Sequence, residues 1–345
     1  MPFLHNRVNR RILKDRIRQA ADDRVTLSFY KYHRLADPDA FRNQLYKAWA
    51  PIGVLGRIYV AQEGINAQLS VPRAHFEDFR KSLDDTGFLK GVRLNIAIQD
   101  DAKSFFVLKI AVKKKIVADG LRDETFDASD SGVHLSAAAF NELSAKPDTV
   151  IVDMRNHYES EVGHFRNAIL PDVDTFKEAL PVVETMLSDR KDSNVIMYCT
   201  GGIRCEKASA WMKHRGFKHV FQLDGGIIEY ARQVKSEGLE NKFVGKNFVF
   251  DDRLGERISP EVISVCHQCG QPCDTHTNCK NDGCHLLFIQ CEACAAKYNG
   301  CCSEDCKEVL ALPAEAQKEM RKGKAQQRKV FHKGRSPKIR FKGTA

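Results

Sequence analysis

A cysteine between an apolar strand and the start of a helix is the residue of this chain best placed to do chemistry. Residues 194–198 read as a short buried strand, and the helical pattern from Cys205 ends at Gly216. Between them runs the loop Cys199-Thr200-Gly201-Gly202-Ile203-Arg204. Gly201 and Gly202 let the backbone curl until successive N–H groups face one sulfur. The helix N-terminus adds a fixed partial positive charge, and Arg204 adds a mobile full one. Such surroundings lower a thiol pKa from ~8.5 toward neutrality, giving a thiolate that can attack, carry sulfur or be oxidised. A structural cysteine is the plain alternative. A nucleotide-binding P-loop is not indicated, because the run lacks the G-K-[ST] ending.

Ten of the twelve cysteines lie between Cys266 and Cys306, and none precedes Cys199. In a chain without an export signal, such clustering indicates metal ligation in a reducing compartment rather than a disulfide framework. Cys266-x2-Cys269 and Cys291-x2-Cys294 are knuckles 21 residues apart, close to a four-cysteine zinc ribbon. Cys273, Cys279, Cys284, His285, Cys301, Cys302 and Cys306 offer enough ligands for a second ion. Zinc in a structural role is the expected metal, with an iron–sulfur cluster as the competing reading. So small a segment has too few apolar residues for a core of its own. How the cysteines divide between ions is not encoded in their spacing.

The net charge of +9 is concentrated at one end: 318–345 holds eleven Lys or Arg against the single acid Glu319. A basic arm with Phe331 and Phe341 interleaved suits phosphate contact and base stacking, so nucleic acid is the expected partner. Its deletion should weaken RNA binding and flatten the salt dependence. No run approaches the ~18 apolar residues of a membrane span, so a membrane role is excluded. Residues 1–24 lack the apolar core of a secretory signal, and a cytoplasmic location follows. No organic cofactor is expected, and the sequence is silent on oligomeric state.

The elements that must hold the cysteine fall into segments. A basic arm, 1–24, carries Ile12, Leu13 and Ile17 at helical spacing. Residues 25–118 alternate as strand (25–30), helix (38–50), strands (54–61 and 65–71), helix (73–83) and strand (92–98). That is the βαββαβ order of a ferredoxin-like α+β domain. Asp37 caps the first helix and Pro38 opens it. Glu63-Gly64-Ile65-Asn66 reads as a hairpin turn, and Lys113-Lys114-Lys115 as a charged strand end that can extend a positive surface. A linker, 119–132, leads to a parallel α/β domain, 133–240, with strands at 149–153, 168–170, 194–198 and 219–223 and helices at 136–145, 158–162 and 174–190. Ligands of such sheets bind beyond the carboxyl ends of the strands, where Cys199, Asp153 and Arg155 lie. Asp153 and Arg155 can equally tie down loops. A connector, 241–265, the cysteine-rich segment, 266–306, and a basic disordered tail, 307–345, complete the chain.

The residues Asp153-Met154-Arg155, Gly163-His164-Phe165 and the Cys199–Arg204 loop together resemble a rhodanese domain, whose loop cysteine carries a persulfide. Cys205 departs from that pattern, since many rhodaneses have serine there. With Glu63-Gly64-Ile65-Asn66, Cys205-Glu206-Lys207-Ala208 and the cysteine-rich extension included, the chain over about 25–306 is similar to the bacterial tRNA wobble-uridine hydroxylases. That resemblance implies oxygen-dependent formation of 5-hydroxyuridine at the wobble position of tRNA, with molecular oxygen as co-substrate. It places Cys199 as the catalytic residue and adds Glu63 and Asn66 to Asp153 and Arg155 as candidate substrate contacts. Two routes are compatible: addition of Cys199 to C6 of the base, or delivery of oxygen from an oxidised sulfur. Cys205 either resolves an oxidised Cys199 as a disulfide or packs as a small residue. A persulfide-carrying sulfurtransferase using the same cysteine is the alternative function.

Overall fold

The computed structural model describes residues 23–98, 104–122, 126–322, 335–337 and 339–341. The expected helical arm with Ile12, Leu13 and Ile17 lies outside these residues, as does Phe331. The first domain comprises β1 (Arg24–Tyr32), α1 (Pro38–Trp49), β2 (Leu55–Ala61), β3 (Gly64–Pro72), α2 (Phe76–Asp85) and β4 (Asn95–Ile96). Asp37 caps α1 as expected, accepting from the Ala40 N–H at 2.9 Å. Alternation sends Leu27, Phe29, Ile58, Val60, Ala67 and Leu69 to one face, where α1 and α2 cover them with Phe41, Leu45, Trp49, Phe79 and Leu83. The opposite face carries the polar partners of that alternation. A strand not read from sequence, β5 (Leu108–Val112), pairs parallel to β2 and gives the order β4-β1-β3-β2-β5. The strand expected over 92–98 shrinks to two residues.

The second domain stacks β6 (Val133–Leu135), β7 (Thr149–Asp153), β9 (Asn194–Tyr198) and β10 (His219–Leu223) in the parallel order β6-β10-β9-β7. Period two in these strands gives each layer its own core. Val150, Val152, Val195 and Met197 meet α5 (Phe176–Met186) and α6 (Ile203–His214). Ile151, Ile196 and Tyr198 meet α3 (Ala137–Ser144) and α7 (Gly226–Glu237). A Thr175–Glu178 capping box starts α5 later than expected. The short helix α4 (His157–Ser160) is followed by β8 at Gly163–Phe165, not at 168–170, where Ile169 makes only a single bridge to Val152. The reason is the partner: β8 pairs with β11 (Phe243–Asn247), far along the chain.

Beyond β11 come β12 (Glu256–Arg257), the hairpin β13 (His276–Asn278) and β14 (Leu287–Ile289), and helices α8 (Glu292–Lys297), α9 (Glu304–Ala311) and α10 (Ala314–Arg321). Two expectations need correction. The stretch read as a linker contributes Asp119, which is buried against the second domain. The tail expected to be disordered from 307 onward is helical through α9 and α10, and its residues 335–337 and 339–341 lie against the folded chain: Ile339 is buried beside Cys279, Leu286 and Phe288, and the N–H groups of Arg340 and Phe341 donate to the His267 carbonyl. The apolar residues of a basic segment still seek burial, and Arg335 finds two acids, Asp172 and Asp174.

Candidate active site

Cys199 leaves the end of β9 and sits 1% exposed at the foot of the loop that leads into α6. Gly202 closes the loop with φ 96°, a left-handed angle open to glycine, and its N–H donates to the Cys199 Sγ at 3.2 Å. The N-terminus of α7 holds the other side, with Ile227 and Ile228 N–H groups donating to the carbonyls of Cys199 and Thr200 at 3.0 and 3.2 Å. A Cβ on Gly226 would lie 2.5 Å from the Cys199 carbonyl oxygen, so only glycine lets the helix come this close. Burial pushes the Cys199 thiol up, but the Cys205 thiol, the Arg204 charge and the N–H groups of Arg204 and Cys205 outweigh it and lower the group to about 6. Burial and the adjacent Cys199 push the Cys205 thiol the other way, well above its usual range. The pair is therefore one thiolate and one thiol at neutral pH.

Arg204 is not mobile, as the sequence had suggested. Its guanidinium grips Glu159 with two hydrogen bonds of 2.7 and 2.9 Å, and Glu159 is fully buried. A buried cation needs such a partner, and α4 supplies it. Asp153 and Arg155 form a second buried pair, with bonds of 2.6 to 3.1 Å. Arg155 also reaches the Gly163 carbonyl at 2.6 Å, and the Tyr198 hydroxyl donates to Asp153 at 2.7 Å. Both side chains are wholly enclosed and hold β7, β8 and β9 together. Their expected substrate contact is thus corrected to loop tethering.

The first domain builds the other wall. A cleft of about 570 Å³ runs from Cys199, Thr200 and Arg204 to Ser28, Tyr30, Tyr59, Asn66 and Asn95 on the polar sheet face. Three contacts fix this wall against the loop. The Tyr30 hydroxyl donates to Glu206 at 2.9 Å, and Asn95 Nδ2 donates to the Gly201 carbonyl at 3.3 Å. Lys207 Nζ, nearly buried, bonds Glu63 at 2.9 Å and Asp119 at 2.6 Å. Glu63 also accepts from the Ile116 N–H at 2.6 Å, so it clamps the domains instead of facing the cleft, which corrects its candidate role. Asn66 does line the cleft and donates to the Ile116 carbonyl at 3.2 Å.

Comparison with known proteins places the chain in a family. A family model described as the UPF0176 acylphosphatase like domain matches residues 24–116, a Rhodanese-like domain matches 136–233 and a Rhodanase C-terminal model matches 244–307. The chain is 56% identical over 338 residues to a tRNA uridine(34) hydroxylase of Enterobacter sp. (strain 638), covering 97% of this chain and 96% of that protein. The chain belongs to the tRNA uridine(34) hydroxylase family. A relative of the same name from Cronobacter sakazakii is 57% identical with the same coverage, and one from Escherichia fergusonii is 55% identical over 336 residues, again covering 97% and 96%. Among solved structures, a rhodanese-like domain of the Anabaena sp Alr3790 protein covers 32% of this chain and 78% of that chain at 20% identity and a TM-score of 0.27.

In this member of the hydroxylase family the cysteine-rich segment sorts into two groups of four. Cys266, Cys269, Cys291 and Cys294 form one, and Cys279, Cys284, Cys302 and Cys306 the other, each with its sulfurs within 4.8 Å. Nearest sulfurs stand 3.7 Å apart in both groups, and the N–H groups of Cys291 and Cys302 each donate to a sulfur at 3.4 Å. Either group can hold one metal ion. Cys273, Cys301 and His285 belong to neither and are removed from the ligand set. The His285 imidazole is more than half exposed and turns to Asp282.

Sequence reasoning missed Glu159, Tyr30, Asn95 and Lys207 as parts of the site. No local pattern marks Glu159, which lies 45 residues before its arginine. Tyr30 was recoverable in part, since polar alternation along β1 shows which face is left free for a ligand.

Proposed function

We propose that this chain hydroxylates C5 of uridine 34 in tRNA, in the cytoplasm, using Cys199 as a nucleophile. The observation that carries the proposal is a thiolate at the foot of a cleft whose opposite wall, Ser28 to Asn95, is a polar sheet face from another domain. A uridine turned out of the anticodon stack enters this cleft. The thiolate adds to C6, and the electron pair of the C5=C6 bond moves toward C5 and the C4 carbonyl. C5 then bonds to oxygen derived from molecular oxygen. Loss of the C5 proton and departure of the thiolate from C6 restore the double bond. The second oxygen atom leaves as water, using two electrons and two protons from an external donor. Arg204, held by Glu159, keeps Cys199 ionised at the start and end of this cycle. Asn66 and Asn95 contact the base.

Zinc suits the two cysteine groups. Bonds of about 2.3 Å to four tetrahedral sulfurs separate them by about 3.8 Å, close to the spacing present. It would stiffen the segment, whose first cysteine group shares a core with Phe248 and the cleft-lining Phe250. The sulfurtransferase alternative uses the same thiolate but is not favoured, because the relatives are named as hydroxylases. Nucleoside mass spectrometry tests the proposal on tRNA from cells with the wild-type chain, Cys199→Ala or no protein, in a strain without a redundant enzyme. Equal 5-hydroxyuridine in all three sinks it. Release of thiocyanate from cyanide at enzymatic rates supports sulfur transfer instead.

A further inference from the structure

The polar face of the first sheet continues past the cleft, and strand register shows what it presents. One row crosses the sheet as Ser28, Gln68, Arg57 and Lys109; the next crosses as Tyr30, Asn66, Tyr59 and Ala111. In both rows the residues of β1, β3 and β2 line the cleft, with Arg57 exposed at its rim, and the β5 end opens to solvent, where Lys109 and Lys113 are exposed. Tyr59 stands half-buried between small Ala111 and the Lys113 ammonium, 5.6 Å from its ring centroid. These rows contain no aspartate or glutamate. Two strand spacings, about 10 Å, separate Tyr30 beside the cysteine loop from Tyr59.

A cationic sheet edge with a half-buried ring at the rim of a cleft meets the physical requirement for holding a single-stranded nucleic acid, the ammonium over the ring giving way to a base or joining it on the opposite face. We propose that it seats the nucleotides flanking the target uridine. A neighbouring base stacks on Tyr59, and Arg57, Lys109 and Lys113 hold backbone phosphates. This rests on the reading that uridine 34 enters the cleft, and it assigns a surface to the rest of the anticodon loop.

The test is equilibrium binding of the full chain to an anticodon stem-loop RNA across a salt series, beside hydroxylation of the same RNA. Each lost phosphate contact lowers the slope of log K against log salt by about 0.7, so Lys109→Ala with Lys113→Ala should lower it by about 1.4. Lys47→Ala with Lys81→Ala, on α1 and α2 behind the sheet, removes equal charge and should leave the slope as it was. Tyr59→Ala should weaken binding ~5- to ~150-fold, and Tyr59→Phe should restore it. An unchanged slope in the Lys109/Lys113 variant, an equal drop in the control, or wild-type affinity in Tyr59→Ala overturns the proposal. Failure of the underlying reading looks different: Cys199→Ala would still make product, whatever the sheet variants do.

Discussion

Replacing Glu159 with Gln isolates the electrostatics of the site, because it removes a buried charge and keeps the side-chain volume. In the native chain the Arg204 side chain is 10% exposed and its carboxylate partner 0%. Glutamine retains one acceptor, so one of two charge-assisted hydrogen bonds is lost and a guanidinium is left without its counter-ion. Breaking a buried pair from one side costs about 3–5 kcal/mol; with an acceptor retained we expect about 3. Adding Arg204→Met removes the stranded cation and should recover most of that loss, since neutral isosteres of a buried pair are often as stable as the pair. The thiol moves oppositely in the two variants. In Glu159→Gln the uncompensated cation faces Cys199 and lowers its pKa below about 6, whereas the double variant, lacking the cation, raises it. Urea unfolding followed by Trp211 fluorescence, with Trp49→Phe in every variant, reads the first effect, and the pH profile of Cys199 alkylation reads the second. Glu159→Gln within about 1 kcal/mol of wild type, or a double variant no more stable than the single, would refute the assignment.

In the wild-type chain, alkylation of Cys199 by a small reagent should rise to half its maximum near pH 6, well below an ordinary thiol. The same shift links to stability. Folding lowers this pKa, so its contribution is full above the unfolded value of about 8.5 and is lost as pH falls through about 6, a trend that unfolding midpoints over that range would show. Gly226→Ala should abolish activity and destabilise the chain, because its methyl would lie 2.5 Å from a backbone oxygen at φ 66°. Gly202→Ala, whose methyl meets the Tyr30 hydroxyl at 2.8 Å, should be milder and partly rescued by Tyr30→Phe; equal damage from both would contradict the packing described. Metal analysis should find two ions per chain, one in Cys291→Ser or Cys302→Ser, and still two in Cys273→Ser, Cys301→Ser or His285→Ala.

What the sequence disclosed was mostly what a few neighbouring residues decide. The cysteine loop was legible because a buried strand, two glycines and an arginine occur in one run, and α1 because Asp37 and Pro38 mark its start. Partners brought from afar were not. Nothing beside Arg204 indicates that Glu159 will neutralise it, nor does Asp153 show whether it faces a ligand or an arginine two residues on. The first cysteine group was half visible as two knuckles. The second was hidden because Cys301 and Cys302 are adjacent, both are buried, and only the fold decides which of them joins the group of four. The tail was misjudged for a similar reason: composition reports its charge but not the cavity that receives Ile339.

The Lys207 clamp couples three separate parts of the chain. Glu63 comes from one domain, Asp119 from the stretch between domains, and Lys207 from the helix that follows the reactive cysteine. A neutral residue at 207 leaves buried Asp119 with Lys115, at 2.5 Å, as its remaining cation, and loss of Asp119 removes one of the two carboxylates that hold the lysine. Positions 63, 119 and 207 are therefore coupled in energy, so that the cost of a change at one depends on what stands at the others. A rhodanese-type domain grafted in its place would supply a cysteine loop, but the first domain would be held against it in this way only where a cation at this position meets Glu63.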